Sequence, residues 1–247
     1  MAKKIYIDPG HGRNDSGAVK GTRLEKDDNL RLSLLIAEEL KEQDAEVLLS
    51  RYNDTNPGGR TAQANAWGAD YYLAMHRNSA GSGATGNEIW VVSNASQNTI
   101  LKAKAILDAV CSVDGLPNRG VKKGAPNYTD FGVNRDSVMA SALLELGFIS
   151  NEKDNAVFDK SIGEYAKVIA KALCEIVGVV FKEKPALAGD VDGDGKITAA
   201  DARTALRASA GLEALSEEQK KAADMNGDNV ITAADARDIL RKSAGLE

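Results

Sequence analysis

The feature that most restricts the fold is an alternation of short apolar runs with helical patterns between residues 3 and 181. Runs rich in β-branched and apolar residues predict strands at 3–7, 46–50, 71–75, 88–92 and 139–144. Helical patterns predict helices at 30–40, 60–67, 96–113 and 162–180. Strands that alternate with helices usually pair in parallel, because a helix carries the chain back between them. We therefore predict an α/β fold in which a twisted, mostly parallel sheet is covered by helices on both faces.

Both histidines of the chain come shortly after predicted strands. Pro9 and Gly10 end the first strand, because proline cannot donate to a ladder and glycine tolerates a sharp turn, and His11 follows them. His76 directly follows the strand at 71–75. Ligands of open α/β sheets bind at the carboxyl ends of strands, so both imidazoles are candidates for metal or substrate binding. A histidine after a glycine is also a common turn residue, and this alternative stays open.

Glu25 is the candidate third ligand of a metal site. Two imidazoles and one carboxylate form the ligand set of an open catalytic zinc site, whose fourth position is kept for water. Glu25 lies where a loop passes into the helix predicted at 30–40. It could equally be an acid that complements the helix dipole, and Asp27 or Asp28 could take the metal-binding role.

Glu145 is a carboxylate inside an apolar strand, between Leu144 and Leu146. A buried carboxylate has to be paired, bound to a metal or protonated, because burying it without a partner costs several kcal/mol. Glu145 is therefore either a member of a structural salt bridge or a candidate proton carrier.

Four motifs in this order resemble the zinc-dependent N-acetylmuramoyl-L-alanine amidases of the Amidase_3 type. They are DPGHG at 8–12 with DSGA at 15–18, the glutamate before a helix at 25, MHRN at 75–78 and ELGFISN at 145–151. Together they cover about residues 3 to 181. One departure from the family pattern is Arg77, where a small residue is more usual, and it leaves the substrate contacts at that position open.

The resemblance implies a reaction and a role for each residue. The counterparts of His11, Glu25 and His76 hold one catalytic zinc ion in that family, and the counterpart of Glu145 is the catalytic acid and base. Such enzymes hydrolyse the amide bond between the lactyl group of N-acetylmuramic acid and L-alanine of the peptidoglycan stem peptide. Zinc activates a water, and Glu145 would take its proton and return it to the departing nitrogen. A serine or cysteine mechanism lacks support, because both histidines are assigned to zinc.

A second region repeats itself, since residues 190–203 recur as residues 224–237. In the first copy, the ligand positions of an EF-hand loop fall on Asp190, Asp192, Asp194, Lys196 (backbone), Thr198 and Asp201. In the second copy they fall on Asp224, Asn226, Asp228, Val230 (backbone), Thr232 and Asp235. Hard oxygen ligands at alternate residues suit calcium. Gly195 occupies the tight sixth position of the first loop, and Asn229 replaces it in the second, which is tolerable because asparagine adopts positive φ more readily than most residues.

Each copy is a calcium loop followed by a helix, and the last ligand position of each loop is an aspartate. This arrangement resembles the type I dockerin modules. The resemblance covers about residues 189 to 247 and implies two structural calcium ions and a cohesin module as the partner. Loop positions 10 and 11, which usually help to set that partner, are Ala199, Ala200, Ala233 and Ala234. Because the copies are nearly identical, the resemblance implies two binding orientations. The alternative is a merely solvated acidic tail.

These patterns predict a catalytic domain at 1–181, a linker at 182–188 and a dockerin at 189–247. The formal net charge is only −5 and no basic cluster is present, so nucleic acid is not an expected partner. Cys111 and Cys174 lie in helical patterns and are interpreted as core residues, so no disulfide is indicated. No apolar run reaches the roughly 20 residues of a membrane span, and no secretory leader is recognisable.

The predicted protein is thus a monomeric cell-wall hydrolase, an autolysin-like enzyme that acts outside the cell or in the wall. Either a leader has been removed from it, or lysis releases it. A runner-up hypothesis is an adaptor on a cohesin scaffold whose amidase fold binds peptidoglycan without turning it over.

Overall fold

The computed structural model describes residues 2–81, 83–126, 130–183 and 187–246. It divides into two compact units, Met1–Lys182 and Glu183–Glu247. Of the linker predicted at 182–188, residues 184–186 lie outside the described residues. Both units contain the kinds of element that the sequence patterns indicate.

The first unit contains eight strands and five helices among its described residues. The strands are β1 (Lys3–Pro9), β2 (Val19–Lys20), β3 (Arg23–Leu24), β4 (Ala45–Leu49), β5 (Tyr71–Asn78), β6 (Asn87–Val91), β7 (Asn118–Lys123) and β8 (Ala140–Phe148). The helices are α1 (Glu25–Leu40), α2 (Arg60–Trp67), α3 (Gln97–Asp114), α4 (Gly132–Arg135) and α5 (Glu152–Val177). The sequence patterns did not predict β7, the short hairpin β2–β3 or α4.

Six strands form one sheet in the order β4-β1-β5-β8-β6-β7. The pairings β4–β1, β1–β5, β5–β8 and β6–β7 are parallel, and β8–β6 is antiparallel. Side chains alternate between the two faces of a strand. One face, with Ile7 and Leu73, packs against α1, α3 and α5, whereas the other, with Tyr6 and Tyr72, packs against α2 and α4. The predicted α/β class, with a mostly parallel sheet and helices on both faces, is confirmed.

The sequence predicts that this strand ends at residue 144, but β8 continues through Glu145 to Phe148. Its backbone pairs on both sides, because Glu145 lies opposite His76 of β5 and opposite Glu88 of β6. Ladder hydrogen bonds involve only main-chain groups, so a charged side chain does not break a strand that has two neighbours. The strand therefore carries Glu145 to the edge where β1 and β5 end.

The second unit has three helices within its described part, α6 (Ala199–Ser209), α7 (Glu217–Ala223) and α8 (Ala233–Ser243). Thr198 and Asp201 form a capping box at the start of α6, and the repeat reproduces it with Thr232 and Asp235 at α8. A capping box of Ser216 and Gln219 starts α7. A small core of Val191, Ala202, Ala205, Ala223, Ala236 and Ile239 holds the helices together. The small all-α module that the repeat predicts is confirmed.

Candidate active site

The carboxyl ends of the parallel strands β1, β5 and β8 meet at one edge of the sheet and deliver the predicted site residues there. Strand β1 ends at Pro9, and the chain turns so sharply that His11 has φ of +62°. A positive φ is uncommon for a non-glycine residue and is favoured only where the surroundings hold it. His76 lies near the end of β5 and Glu25 is the first residue of α1.

His11, Glu25 and His76 form one cluster in which a nitrogen or oxygen of each lies within 4.8 Å of those of the other two. Nδ1 of His76 is 2.9 Å from Oε1 of Glu25, and Nε2 of His11 is 3.3 Å from the same oxygen. The Glu25 side chain is buried, and its other oxygen accepts a hydrogen bond from the backbone N–H of Ala18. The backbone N–H of Arg77 also donates to Oε1. The structure thus brings together the three residues that the sequence patterns single out.

Two glycines make room for this cluster. A Cβ atom on Gly10 would lie 2.4 Å from the His76 ring, and one on Gly17 would lie 2.6 Å from both Glu25 and His11. The backbone therefore approaches the three side chains more closely than any residue but glycine allows. Two imidazoles and a carboxylate with converging donor atoms fit a zinc ion, so the residues present match the group that the resemblance implies.

The electrostatics of the metal-free cluster keep Glu25 ionised. Burial of Glu25 opposes its ionisation. The hydrogen bonds that it makes with His11 and His76 outweigh this effect and hold the pKa of Glu25 well below its usual range. The pKa of His11 rises to about 9, since its hydrogen bonds and charge interactions with Glu25 and Asp15 outweigh the effect of burial. An ionised carboxylate is what a metal ligand requires.

The two competing acids next to Glu25 are placed elsewhere. Asp28 accepts hydrogen bonds from Arg23 and from Arg77, and Asp27 is exposed. The Arg77 side chain is buried, and it also donates a hydrogen bond to Asn155 of α5. Arg77 therefore ties α1 to α5, which is how this chain accommodates a large residue after His76.

Two further carboxylates lie on the same face of the sheet as His76, and each accepts hydrogen bonds from several side chains. Asp8 is 1% exposed and accepts hydrogen bonds from Ser50, Tyr72 and the guanidinium of Arg60. The same guanidinium also donates to the backbone oxygens of Pro9 and His11. Sequence reasoning did not single out Arg60, because nothing in a local pattern shows that it reaches the turn after β1.

Glu88 of β6 is the second engaged carboxylate. It accepts hydrogen bonds from Asn78, Trp90 and Arg119. Each buried acid that neighbours the cluster on β1 or β6 is thus paired with an arginine. Such pairing offsets part of the cost of burying a charge.

Glu145 differs from both of these acids. Its Oε2 atom is buried and has no hydrogen-bond partner among the residues that the structure describes. Burial raises the pKa of Glu145 to about 7, with smaller contributions of both signs from the neighbouring His76 and Glu25. The structural salt bridge left open by the sequence finds no support in this geometry. A carboxyl whose pKa is near neutrality can both accept and donate a proton.

A cavity of about 400 Å³ opens over the cluster. Its lining includes the four residues of the site together with Phe131, Val133 and Leu143. Phe131 and Val133 belong to the segment around α4, a helix too short to leave a periodic signal in the sequence. Apolar walls around a few polar groups are typical of ligand sites.

In the second unit, carboxylate oxygens of Asp190, Asp192 and Asp194 lie within 4.8 Å of one another. The carboxylate of Asp201 is not part of this group and accepts hydrogen bonds from the backbone N–H groups of Val191, Asp192 and Thr198. In the second loop the carboxylate of Asp224 accepts hydrogen bonds from three backbone N–H groups, as that of Asp190 does in the first. The side-chain amide of Asn226 donates a hydrogen bond to the carboxylate of Asp228. Gly195 and Asn229 both have positive φ, +83° and +63°.

The residues at loop positions 10 and 11 begin the two long helices of this unit. Ala199, Ala233 and Ala234 are exposed and Ala200 is half-buried. Exposed small residues at the start of a helix leave it accessible to a partner.

Fold and site together define a hydrolase with an α/β fold, in which two histidines and a glutamate form a cluster that could hold a metal ion, with a separate acid beside it. Residues 5–175 match the N-acetylmuramoyl-L-alanine amidase family (Amidase_3), and residues 188–242 match the type I dockerin domain. The chain therefore belongs to the N-acetylmuramoyl-L-alanine amidases and carries a type I dockerin. The family resemblance read from the four motifs and from the repeat is confirmed.

Individual relatives agree with this assignment. The chain is 39% identical over 155 residues to the uncharacterized protein YqiI of Bacillus subtilis (strain 168), covering 62% of this chain and 73% of that protein. It is 34% identical over 179 residues to the N-acetylmuramoyl-L-alanine amidase CwlM of Bacillus licheniformis, covering 68% of each. The solved catalytic domain of the amidase CwlV from Bacillus (Paenibacillus) polymyxa var. colistinus superposes with a TM-score of 0.65 at 32% identity, over 72% of this chain and 99% of that domain.

Proposed function

We propose that this enzyme hydrolyses the amide bond between the lactyl group of N-acetylmuramic acid and L-alanine in peptidoglycan, with the site at the sheet edge as its catalytic centre. One observation carries the proposal. Three converging ligands lie beside a buried carboxyl that has no partner among the described residues. The family supports the substrate class, and the geometry supports the choice of residues.

His11, Glu25 and His76 would hold one zinc ion. When bound, zinc would act as a Lewis acid that lowers the pKa of a water and polarises the carbonyl to be attacked. The close approach of Gly10 and Gly17 to the three side chains supports this assignment, because the space around the ligands excludes larger groups.

Glu145 would move the proton in both halves of the reaction. With its pKa near 7, Oε2 can accept the proton of the attacking water and then donate it to the departing amide nitrogen, which cannot leave as an anion. The absence of a competing hydrogen bond at Oε2 within the described residues leaves that atom available for water or substrate. Apolar Phe131, Val133 and Leu143 would limit the entry of bulk water into the cavity.

The dockerin would attach the enzyme to a cohesin module of a scaffold or surface protein. We assign one calcium ion to each loop, held by Asp190, Asp192, Asp194, Lys196 and Asp201 in the first and by Asp224, Asn226, Asp228, Val230 and Asp235 in the second. The alanines at loop positions 10 and 11 would contact the cohesin. No helix in the described part of the chain is long and apolar enough to cross a membrane. We place the monomeric enzyme at the cell wall, where its substrate lies.

The test compares three samples of the full chain, saturated with calcium, in their release of free stem peptides with an N-terminal L-alanine from purified peptidoglycan. Glu145→Gln should lower kcat about 10²- to 10⁴-fold while zinc content stays unchanged, because it removes the proton carrier and no ligand. Glu152→Gln, the same change at an exposed glutamate, should behave as the parent. Equal release by the parent and Glu145→Gln would refute the assignment of Glu145. No release by the zinc-loaded parent would favour the adaptor hypothesis.

A further inference from the structure

Both nitrogens of the His11 ring face a carboxylate. Nε2 is 3.3 Å from Oε1 of Glu25, the oxygen shared with His76. Nδ1 is 2.9 Å from Oδ2 of Asp15. Because Nε2 turns toward the ligand cluster, its lone pair has to be free for a metal. A neutral imidazole carries one proton, so that proton then lies on Nδ1 and is donated to Asp15.

The loop after β1 is built so that Asp15 reaches this nitrogen. The backbone of Asp15 exchanges two hydrogen bonds with the backbone of Gly12, at 2.9 and 3.0 Å. Its second carboxylate oxygen, Oδ1, accepts the N–H of Gly17. The carboxylate is thereby held on one side by the loop and on the other by His11. About half of the Asp15 side chain is exposed, so it fills no place in the core.

The two histidines differ in what fixes them. His76 belongs to β5, where it lies opposite Glu145 of β8 and directly follows Met75, which is paired with Pro9 of β1. His11 lies in a turn with positive φ, outside any strand. A ligand on a turn has more orientational freedom than one in the centre of a sheet, and a hydrogen bond from its outer nitrogen removes that freedom.

We propose that Asp15 is a positioning residue that holds the Nδ1-protonated tautomer of His11 and so raises the affinity of the site for zinc. The proposal rests on the zinc assignment made above. Removing a carboxylate that orients a metal-binding histidine typically weakens metal binding 10- to 100-fold. The expected effect is therefore a loss of affinity without a loss of fold.

The experiment measures zinc affinity by competition with a chromophoric chelator, using the full calcium-saturated chain. Asp15→Ala should bind zinc about 10- to 100-fold more weakly than the parent. Asp15→Asn should lose less, because its amide oxygen can still accept the Nδ1 proton. Asp27→Ala is the matched control, since it removes an equal charge from an exposed residue in the first turn of α1, and it should change the affinity less than about twofold.

A second measurement separates positioning from general stability. The chain has two histidines, so a long-range nitrogen–proton NMR spectrum of the zinc-loaded protein contains two imidazole patterns. In the parent, His11 should show the Nδ1-protonated form with Nε2 bound to metal. In Asp15→Ala this pattern should broaden or mix with the other tautomer, whereas that of His76 should not change.

Unchanged zinc affinity and an unchanged His11 pattern in Asp15→Ala would overturn the proposal, as would equal losses in Asp15→Ala and Asp27→Ala. If Asp15→Ala does not fold, Asp15→Leu decides, because its side chain is of similar shape and accepts no hydrogen bond; parent-like zinc affinity with a parent-like His11 tautomer in that variant would also refute the proposal. Failure of the parent to bind zinc would instead overturn the zinc assignment itself.

Discussion

Replacing Gly10 by alanine should expel zinc from the site and leave the sheet folded. The backbone of Gly10 does not lie in the positive-φ region, so alanine fits the main-chain conformation. The new methyl group is the whole perturbation. It would lie 2.4 Å from both Cε1 and Nε2 of His76, where ordinary contacts begin at 3.4 Å.

The ring of His76 would therefore have to retreat by about 1 Å. Zinc–nitrogen bonds of about 2.0–2.1 Å tolerate deviations of roughly 0.2 Å, so a displacement five times larger removes His76 from the ligand set. We expect zinc to bind at least about 100-fold more weakly, which corresponds to about 3 kcal/mol. The fold should lose only about 1 kcal/mol in the metal-free state, because the ring can turn into another rotamer.

Zinc affinity by chelator competition and thermal unfolding of the metal-free protein together test this reasoning. Gly58→Ala is the matched control, because Gly58 lies outside the positive-φ region and a Cβ there meets no atom within 4 Å. It should match the parent in both measurements. If Gly10→Ala binds zinc within threefold of the parent, or if Gly58→Ala loses zinc equally, the steric argument is wrong.

Three further predictions follow from the buried charges and the tail. In the metal-free protein Glu145→Gln should flatten the pH dependence of stability: the raised pKa of Glu145 makes the parent lose up to about 3 kcal/mol as pH rises from about 4.5 to about 7, and denaturant titrations across that range would show no difference between the two if the argument fails. Arg60→Met should cost about 3–5 kcal/mol of unfolding free energy because it leaves Asp8 buried without its ion pair, whereas Arg135→Met at an exposed pair should cost under about 1 kcal/mol, and similar losses in urea unfolding would contradict this. Asn229→Gly should keep calcium binding at the second loop and Asn229→Val should weaken it, because φ of +63° strains a β-branched residue; calorimetric titration with calcium would refute this if both variants bind alike.

Much of the fold and site follows from local pattern. The periodic patterns of strands and helices are properties of a few consecutive residues, so they place β1, β4 and α2 within two residues of their bounds in the structure. The two histidines could be assigned to one edge because parallel strands end on the same side. The calcium loops are visible because the spacing of their oxygen ligands is a property of a single segment.

Other features depend on contacts between segments distant in the chain. The antiparallel pairing of β6 with β8 brings Glu88 opposite Glu145, and no local signal distinguishes that pairing from a parallel one. Arg77 appears in the sequence as a departure near the metal site, yet its partners on α1 and α5 make it a structural ion pair.

Residue types and their order along the chain were thus enough to single out His11, Glu25, His76 and Glu145 and to predict two calcium loops. They could not show which acid has no hydrogen-bond partner among the residues that the structure describes. Asp8, Glu88 and Glu145 are all carboxylates in strands, and the first two find Arg60 and Arg119 only when the chain is folded. Charge neutralisation is a property of the space around a side chain, so the environment that leaves Glu145 with a pKa near 7 arises from packing across the sheet.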